Sequence, residues 1–191
     1  MSWSHYPAAT QEQLHVQAFD PTGLQDEAET SEYPFLKPKV FIIGNHADEL
    51  TPWVPVLATL CDASGFINIP CCPWTFDAKY ERSTAANYPI EESIVDFTES
   101  LKLGGDGSNA SAYSMYRVWL GTLTQHCGWK VESETLRIPS TRNWALVGRK
   151  HTTSQDGEKD EGQENVQAIL ESVRERGIFK TRTPEGKAGN H

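Results

Sequence analysis

Two hydrophobic rhythms alternate along this chain. Val40-Phe41-Ile42-Ile43 is a short, wholly apolar run closed by Gly44. Such a run predicts a strand in the middle of a parallel sheet, covered on both faces. Apolar residues then recur at helical spacing: Leu50, Trp53, Val54, Leu57, Leu60 and Cys61. That stripe predicts an amphipathic helix, with Thr51 as its N-cap and Pro52 at the first helical position. Phe66-Ile67-Asn68-Ile69 predicts the next strand. Strand, helix and strand in this order make a crossover unit with two parallel strands. Further on, Ile94, Phe97 and Leu101 predict a helix over 91–103. Tyr116, Trp119, Leu120, Leu123 and Cys127 share one face of a helix that starts at Asn109 or Ser111 and stops at Gly128. Strands over 131–138 and 144–149 are joined by a connection short enough to require an antiparallel hairpin. Val166, Ile169, Leu170 and Val173 predict a surface helix over 163–176, on a loose polar tail. The expected class is α/β with a doubly wound sheet. The expected parts are an acidic, poorly ordered lead-in over 1–34, an α/β domain over 35–150 and a polar tail over 151–191.

Composition narrows the picture. The 191 residues carry a formal charge of −9, a poor balance for stand-alone binding to a phosphate backbone. No apolar run is long enough to span a membrane, and the N-terminus has no signal-peptide core. Four cysteines, two of them adjacent, do not make a disulfide framework, so a cytoplasmic protein with reduced thiols is expected.

The chemistry should gather at two loops. In open parallel sheets ligands bind beyond the carboxyl ends of the strands, here residues 45–51 and 70–80. His46 lies in the first loop and has the side chain best suited to take a proton near neutral pH. Asp48 or Glu49 would orient it, unless Asp48 caps the following helix instead. Cys71 and Cys72 follow the second strand. Adjacent cysteines do not easily aim at one tetrahedral ion and no paired Cys or His spacing accompanies them, so no metal is expected. They fit a tight loop against a ligand better, or a thiol nucleophile activated by His46. Trp74 is suited to stacking on a base, or to the core. The Gly-rich run over 104–109 lacks the Lys-Ser/Thr ending of a phosphate loop and reads as a connector.

The blocks GNHADELTPWVPVLA, FINIPCCPWTFDAKYER and CGWKVESETLRIPSTRNWALVGRK, in that order, resemble the tRNA (uracil-2′-O-)-methyltransferase family. MSWSHYP resembles the segment after that family's second strand, so the resemblance covers residues 1–150. It implies a Rossmann-like class I methyltransferase fold, S-adenosylmethionine as cofactor, and a uridine 2′-hydroxyl at position forty-four of serine tRNA as target. It implies catalytic roles for His46, Asp48 and Lys79, and cofactor contacts at Gly44, Asn45, Pro70 and Cys71. It implies tRNA contacts at Trp74, Arg82, Arg137 and Arg142. By analogy with a Lys–Asp–Lys–Glu set, Asp48, Lys79 and Glu132 would fill three of the four places. The family's Gly-rich cofactor loop and the acidic residue for the cofactor ribose have no counterpart before Phe35. The chain is therefore expected to be the C-terminal part of such an enzyme, with the N-terminal half as a missing partner. Two other readings compete: a non-catalytic RNA- or partner-binding subunit on a degenerate fold, and a hydrolase using His46 with Cys71 or Cys72.

Overall fold

The computed structural model describes residues 36–76, 78–81, 111–140, 142–151 and 161–176. The expected lead-in, the helix over 91–103, the Gly-rich run and Arg82 lie outside them.

Strand β1 spans Phe41–Asn45, helix α1 Trp53–Leu60 and strand β2 Gly65–Ile69. Helix α2 spans Ala112–His126, strands β3 and β4 Trp129–Thr135 and Trp144–His151, and helix α3 Glu161–Arg176. The sheet order is β1-β2-β4-β3. β1 and β2 are parallel, with Phe41 opposite Gly65 and Asn45 opposite Ile69. β4 runs antiparallel to both β2 and β3. Three strands therefore share one direction and β4 alone is reversed. The hairpin does not simply extend the sheet; its second strand inserts between β2 and β3. This mixed sheet with flanking helices is a partial Rossmann-like class I methyltransferase fold, as the sequence implied.

Alternation along the strands gives the sheet a dry face and an open one. Ile42, Gly44, Phe66 and Asn68 point toward α1, because residues two apart share a face. Gly44 does not end β1 as expected. It lies inside the strand, and a Cβ there would stand 2.7 Å from Val54 Cγ2 and 2.9 Å from Asn68 Oδ1. Glycine thus lets α1 approach the strand. Phe66 stacks edge-on against Trp129 at 5.3 Å, and Trp129 Nε1 donates to Thr59 Oγ1 on α1 at 2.8 Å. These contacts join α1 to the hairpin. On the other face Phe41 is 52% exposed and Ile43 67%. The expectation that β1 is covered on both faces therefore fails: among the described residues all three helices pack in one layer, on the opposite side.

Helix ends follow their chemistry. Ser111 Oγ accepts from the Ser114 amide at 3.0 Å and caps α2, and Gly128 at φ 85° turns the chain at its far end. α1 starts one residue later than expected. Pro52 is its N-cap and makes no side-chain cap bond, while Thr51 is buried with no hydrogen-bond partner for its hydroxyl among the described residues. α3 is not loose. Val166, Ile169, Leu170 and Val173 are buried in the common core. Gln163 donates to the Thr59 carbonyl at 2.8 Å and Asn165 to the His126 carbonyl at 2.9 Å. Both carbonyls are in last turns, where intrahelical donors run out. α3 is fastened to the ends of α1 and α2 by supplying them.

Candidate functional site

Because β1, β2 and β3 share a direction, their carboxyl ends meet at one edge of the sheet. The loop after β1, the loop after β2, the turn over 136–143 and the start of α2 all lie there.

The first loop carries two left-handed residues that are not glycine, His46 at φ 52° and Asp48 at φ 47°. Asn, Asp and His tolerate this region best, yet each such residue costs free energy that its surroundings must offset. The loop is held by the His46 amide, which donates to the Ile69 carbonyl at 3.2 Å, and by a short 3-10 turn over Asp48–Leu50. Asn68 Nδ2 donates to the Thr51 carbonyl at 2.7 Å from beneath. Asp48 does not cap α1. Its carboxylate accepts from the Cys71 thiol at 2.9 Å, across the gap between the strand ends. Nor does it orient His46, whose exposed ring makes no hydrogen bond or ion pair with the described residues.

The second loop is anchored at three points. Pro70 is buried, and its carbonyl accepts from the Tyr113 hydroxyl on α2 at 2.8 Å. Phe76 enters the core and meets Trp53 edge-on at 4.9 Å. Between them the chain doubles back: Thr75 N donates to the Ala78 carbonyl at 2.7 Å and Tyr80 N to the Pro73 carbonyl at 3.0 Å. This pairs Trp74 with Lys79 and sets the ammonium 5.9 Å from the indole centre. Trp74 is half-buried and belongs to neither the core nor open solvent.

Arg142 arrives from the turn before β4. Its guanidinium lies 3.8 Å from the centre of the Tyr113 ring, a cation–π stack. One helical turn further, Arg117 lies 4.4 Å from the centre of Trp144. Burial pushes the Tyr113 hydroxyl above its ordinary pKa, and Arg142 and Arg117 pull against it. Tyr113 and Arg117 are the site residues the sequence reading missed. Their signal was present: they sit four apart, and Tyr113 continues the stripe of Tyr116 by one step of three.

One placement differs from expectation. Glu132 is in the middle of β3, opposite Val147, and pairs with Arg149 at 3.1 Å. It lies on the strand rather than at the strand ends, so it does not join Asp48 and Lys79. Arg137 is exposed beyond β3, at the right edge but with no partner among the described residues. The Cys71 thiol is pushed up to about 12, first by burial and then by its bond to Asp48. An activated nucleophile needs the reverse shift, so Cys71 does not fit the hydrolase reading.

The mixed sheet and the loops at its strand ends are those of a partial Rossmann-like class I methyltransferase fold. Comparison with known proteins agrees. The chain is 36% identical over 165 residues to a tRNA (uracil-O(2)-)-methyltransferase of Schizosaccharomyces pombe, covering 78% of this chain and 30% of that protein. It is 44% identical over 110 residues to that of Neurospora crassa, covering 58% of this chain and 18% of that protein. For the Saccharomyces cerevisiae protein the identity is 35% over 127 residues, covering 66% and 20%. The chain is thus a sequence relative of the tRNA (uracil-O(2)-)-methyltransferases and spans less than a third of their length. No protein-family profile and no solved structure matches it. Among the described residues no helix is long and apolar enough to cross a membrane.

Proposed function

We propose that this chain is part of a cytoplasmic, S-adenosylmethionine-dependent methyltransferase acting on the 2′-hydroxyl of a uridine, position forty-four of serine tRNA. The observation that carries the reading is the similarity to relatives named tRNA (uracil-O(2)-)-methyltransferase. S-adenosylmethionine supplies a methyl group already activated by a sulfonium. The chain's own residues then have two tasks: to align the ribose hydroxyl and to accept its proton.

Asp48 is the best-placed acceptor. Its carboxylate is exposed, held in a left-handed turn, and committed to one thiol, which leaves acceptor capacity for a hydroxyl. His46 is the second acceptor, and Lys79 offsets the charge that develops on the oxygen. Asn45, exposed at the end of β1, and Cys71 fit a cofactor wall, since one offers a side-chain amide and the other a soft, half-buried surface. Gly44 and Pro70 support that wall from behind through Val54 and Tyr113. Trp74 with Lys79, and Tyr113 with Arg142, pair a ring with a cation, which suits a base and its phosphate. Arg82 and Arg137 would add phosphate contacts. The chain spans 30% of the S. pombe relative, and the remaining cofactor contacts would come from the rest of such a protein.

The test replaces the matched stretch of the S. pombe relative with this chain. The chimera should methylate a uridine ribose in tRNA, and His46→Ala and Asp48→Asn should each lower single-turnover rates without lowering the melting temperature. A folded chimera that binds S-adenosylmethionine yet leaves tRNA unmethylated would overturn the proposal in favour of a non-catalytic binding role.

A further inference from the structure

Two exposed or half-buried sulfurs and one carboxylate meet at the strand ends. Asp48 comes from the loop after β1, and Cys71 and Cys72 from the loop after β2. One ligand atom of each lies within 4.8 Å of the other two. We infer that Asp48, Cys71 and Cys72 bind one soft divalent cation of the zinc class, leaving a fourth position for water or a substrate oxygen.

The distances suit the chemistry. Zinc–sulfur bonds of about 2.3 Å and zinc–oxygen bonds of about 2.0 Å put tetrahedral donors about 3.5–3.8 Å apart. The observed ligand atoms bracket that spacing: all lie within 4.8 Å of one another, and Asp48 Oδ1 and Cys71 Sγ, 2.9 Å apart, would open slightly to admit the ion. The objection to adjacent cysteines is that an extended chain sends consecutive side chains to opposite faces. Here the chain has left β2 at Ile69, Pro70 is pinned by Tyr113, and a bend at Cys72 brings both sulfurs toward Asp48.

The loop geometry on the other side is set independently. His46 and Asp48 both adopt left-handed backbone, which folds the loop back over Cys71. Asp48 of the first loop and Cys71 and Cys72 of the second therefore converge. The other two cysteines, Cys61 and Cys127, are buried in the core and take no part. The set is also of the right type. Two thiols select a zinc-class ion over magnesium or calcium, which prefer an all-oxygen shell. The Cys71 thiol donates to Asp48 at 2.9 Å, and a cation would take the place of that proton between the two groups. Three protein donors with one open position is the pattern of zinc sites that exchange a ligand, rather than of closed structural sites.

The experiment uses the whole 191-residue chain, reduced, stripped with a chelator and titrated with Co²⁺. One cobalt per chain should bind, with a sulfur-to-cobalt charge-transfer band and the strong visible bands of four-coordination, and Zn²⁺ should displace it. Cys71→Ser, Cys72→Ser and Asp48→Asn should each weaken binding at least about tenfold. The two serine variants should lose part of the charge-transfer intensity, and Asp48→Asn should keep it at saturation. Cys61→Ala should leave the spectrum unchanged. A thermal melt of each variant identifies any that fails to fold, and the surviving variants decide. Weak six-coordinate spectra without a sulfur band would overturn the inference. So would a sulfur band unchanged in both serine variants, or fewer than four free thiols with no cobalt uptake after reduction. No cofactor or tRNA enters this measurement, so its failure and a failure of the methylation test are separate results.

Discussion

Replacing Gly44 by alanine tests how the two strand-end loops are held together. A Cβ at Gly44 would lie 2.7 Å from Val54 Cγ2 and 2.9 Å from Asn68 Oδ1. Neither neighbour yields easily. Val54 is buried in α1 at 4% exposure, and Asn68, fully buried, donates to the Thr51 carbonyl at 2.7 Å. Overpacking of this kind costs roughly 1–3 kcal/mol, and displacing Asn68 from its hydrogen bond adds about 1 kcal/mol. Alanine regains about 0.5–1 kcal/mol because glycine loses more backbone freedom on folding. Overpacking wins, and the net loss should be about 1–3 kcal/mol. With a urea slope of about 2 kcal/mol/M, the unfolding midpoint should fall by about 0.5–1.5 M at unchanged slope. The pair Gly44→Ala and Val54→Ala closes a cycle. Val54→Ala alone removes two buried methyl groups and destabilises, but in the Gly44→Ala background it makes room for the new methyl. The two losses should therefore be less than additive by at least about 0.5 kcal/mol. A midpoint unmoved by Gly44→Ala, or strict additivity, would refute the claim that glycine is required for the approach of α1.

Three further outcomes follow from other contacts. Cys71, with its thiol pushed up to about 12, should alkylate with iodoacetamide more slowly than exposed Cys72 at pH 8, and Asp48→Asn should speed it; equal rates in both proteins, read by peptide mass, would count against the Asp48–Cys71 bond. In the chimera with the S. pombe relative, Arg142→Ala should weaken tRNA binding and lower the slope of log affinity against log salt by roughly 0.7–0.9, the value for one lost phosphate contact. Trp129→Phe keeps the ring against Phe66 but loses the 2.8 Å bond to Thr59, and should cost about 1–2 kcal/mol in chemical denaturation.

Much of the architecture was legible because it rests on local patterns. The apolar run before Gly44, the helical stripe after Thr51 and the short 139–143 connection each predict their element without knowledge of the others. Ser111 and Gly128 mark α2 for the same reason: capping is read within a few residues. What was not legible depends on neighbours distant in sequence. A run such as Val40–Ile43 looks the same whether one face or two are covered. The stripe of α3 announced a buried face, but not that Gln163 and Asn165 would serve carbonyls of α1 and α2. Thr51 had the composition of an N-cap, yet the bond between its carbonyl and Asn68 draws it into the core and shifts the helix start to Trp53. Asp48 shows the same limit for the site. Its capping role and its role beside His46 were both local readings, and the partner it has is Cys71, from the loop after the next strand.

The division of labour within this chain has a physical logic. The dry face of the sheet is fastened by contacts that leave little freedom: Gly44 against Val54, Phe66 against Trp129, and Trp129 on Thr59. The strand-end edge stands directly on these contacts, so loops carrying strained residues are placed by rigid strands. Asn68 is the hinge between the two regions, with its side chain under the first loop and its backbone one residue before the end of β2. A change at Gly44 should therefore be felt at Asp48 and Cys71 although it touches neither. Conversely, changes at Asp48, Cys71 or Arg142 should alter chemistry with little effect on stability, because each of these side chains reaches out from an anchored backbone rather than into the core.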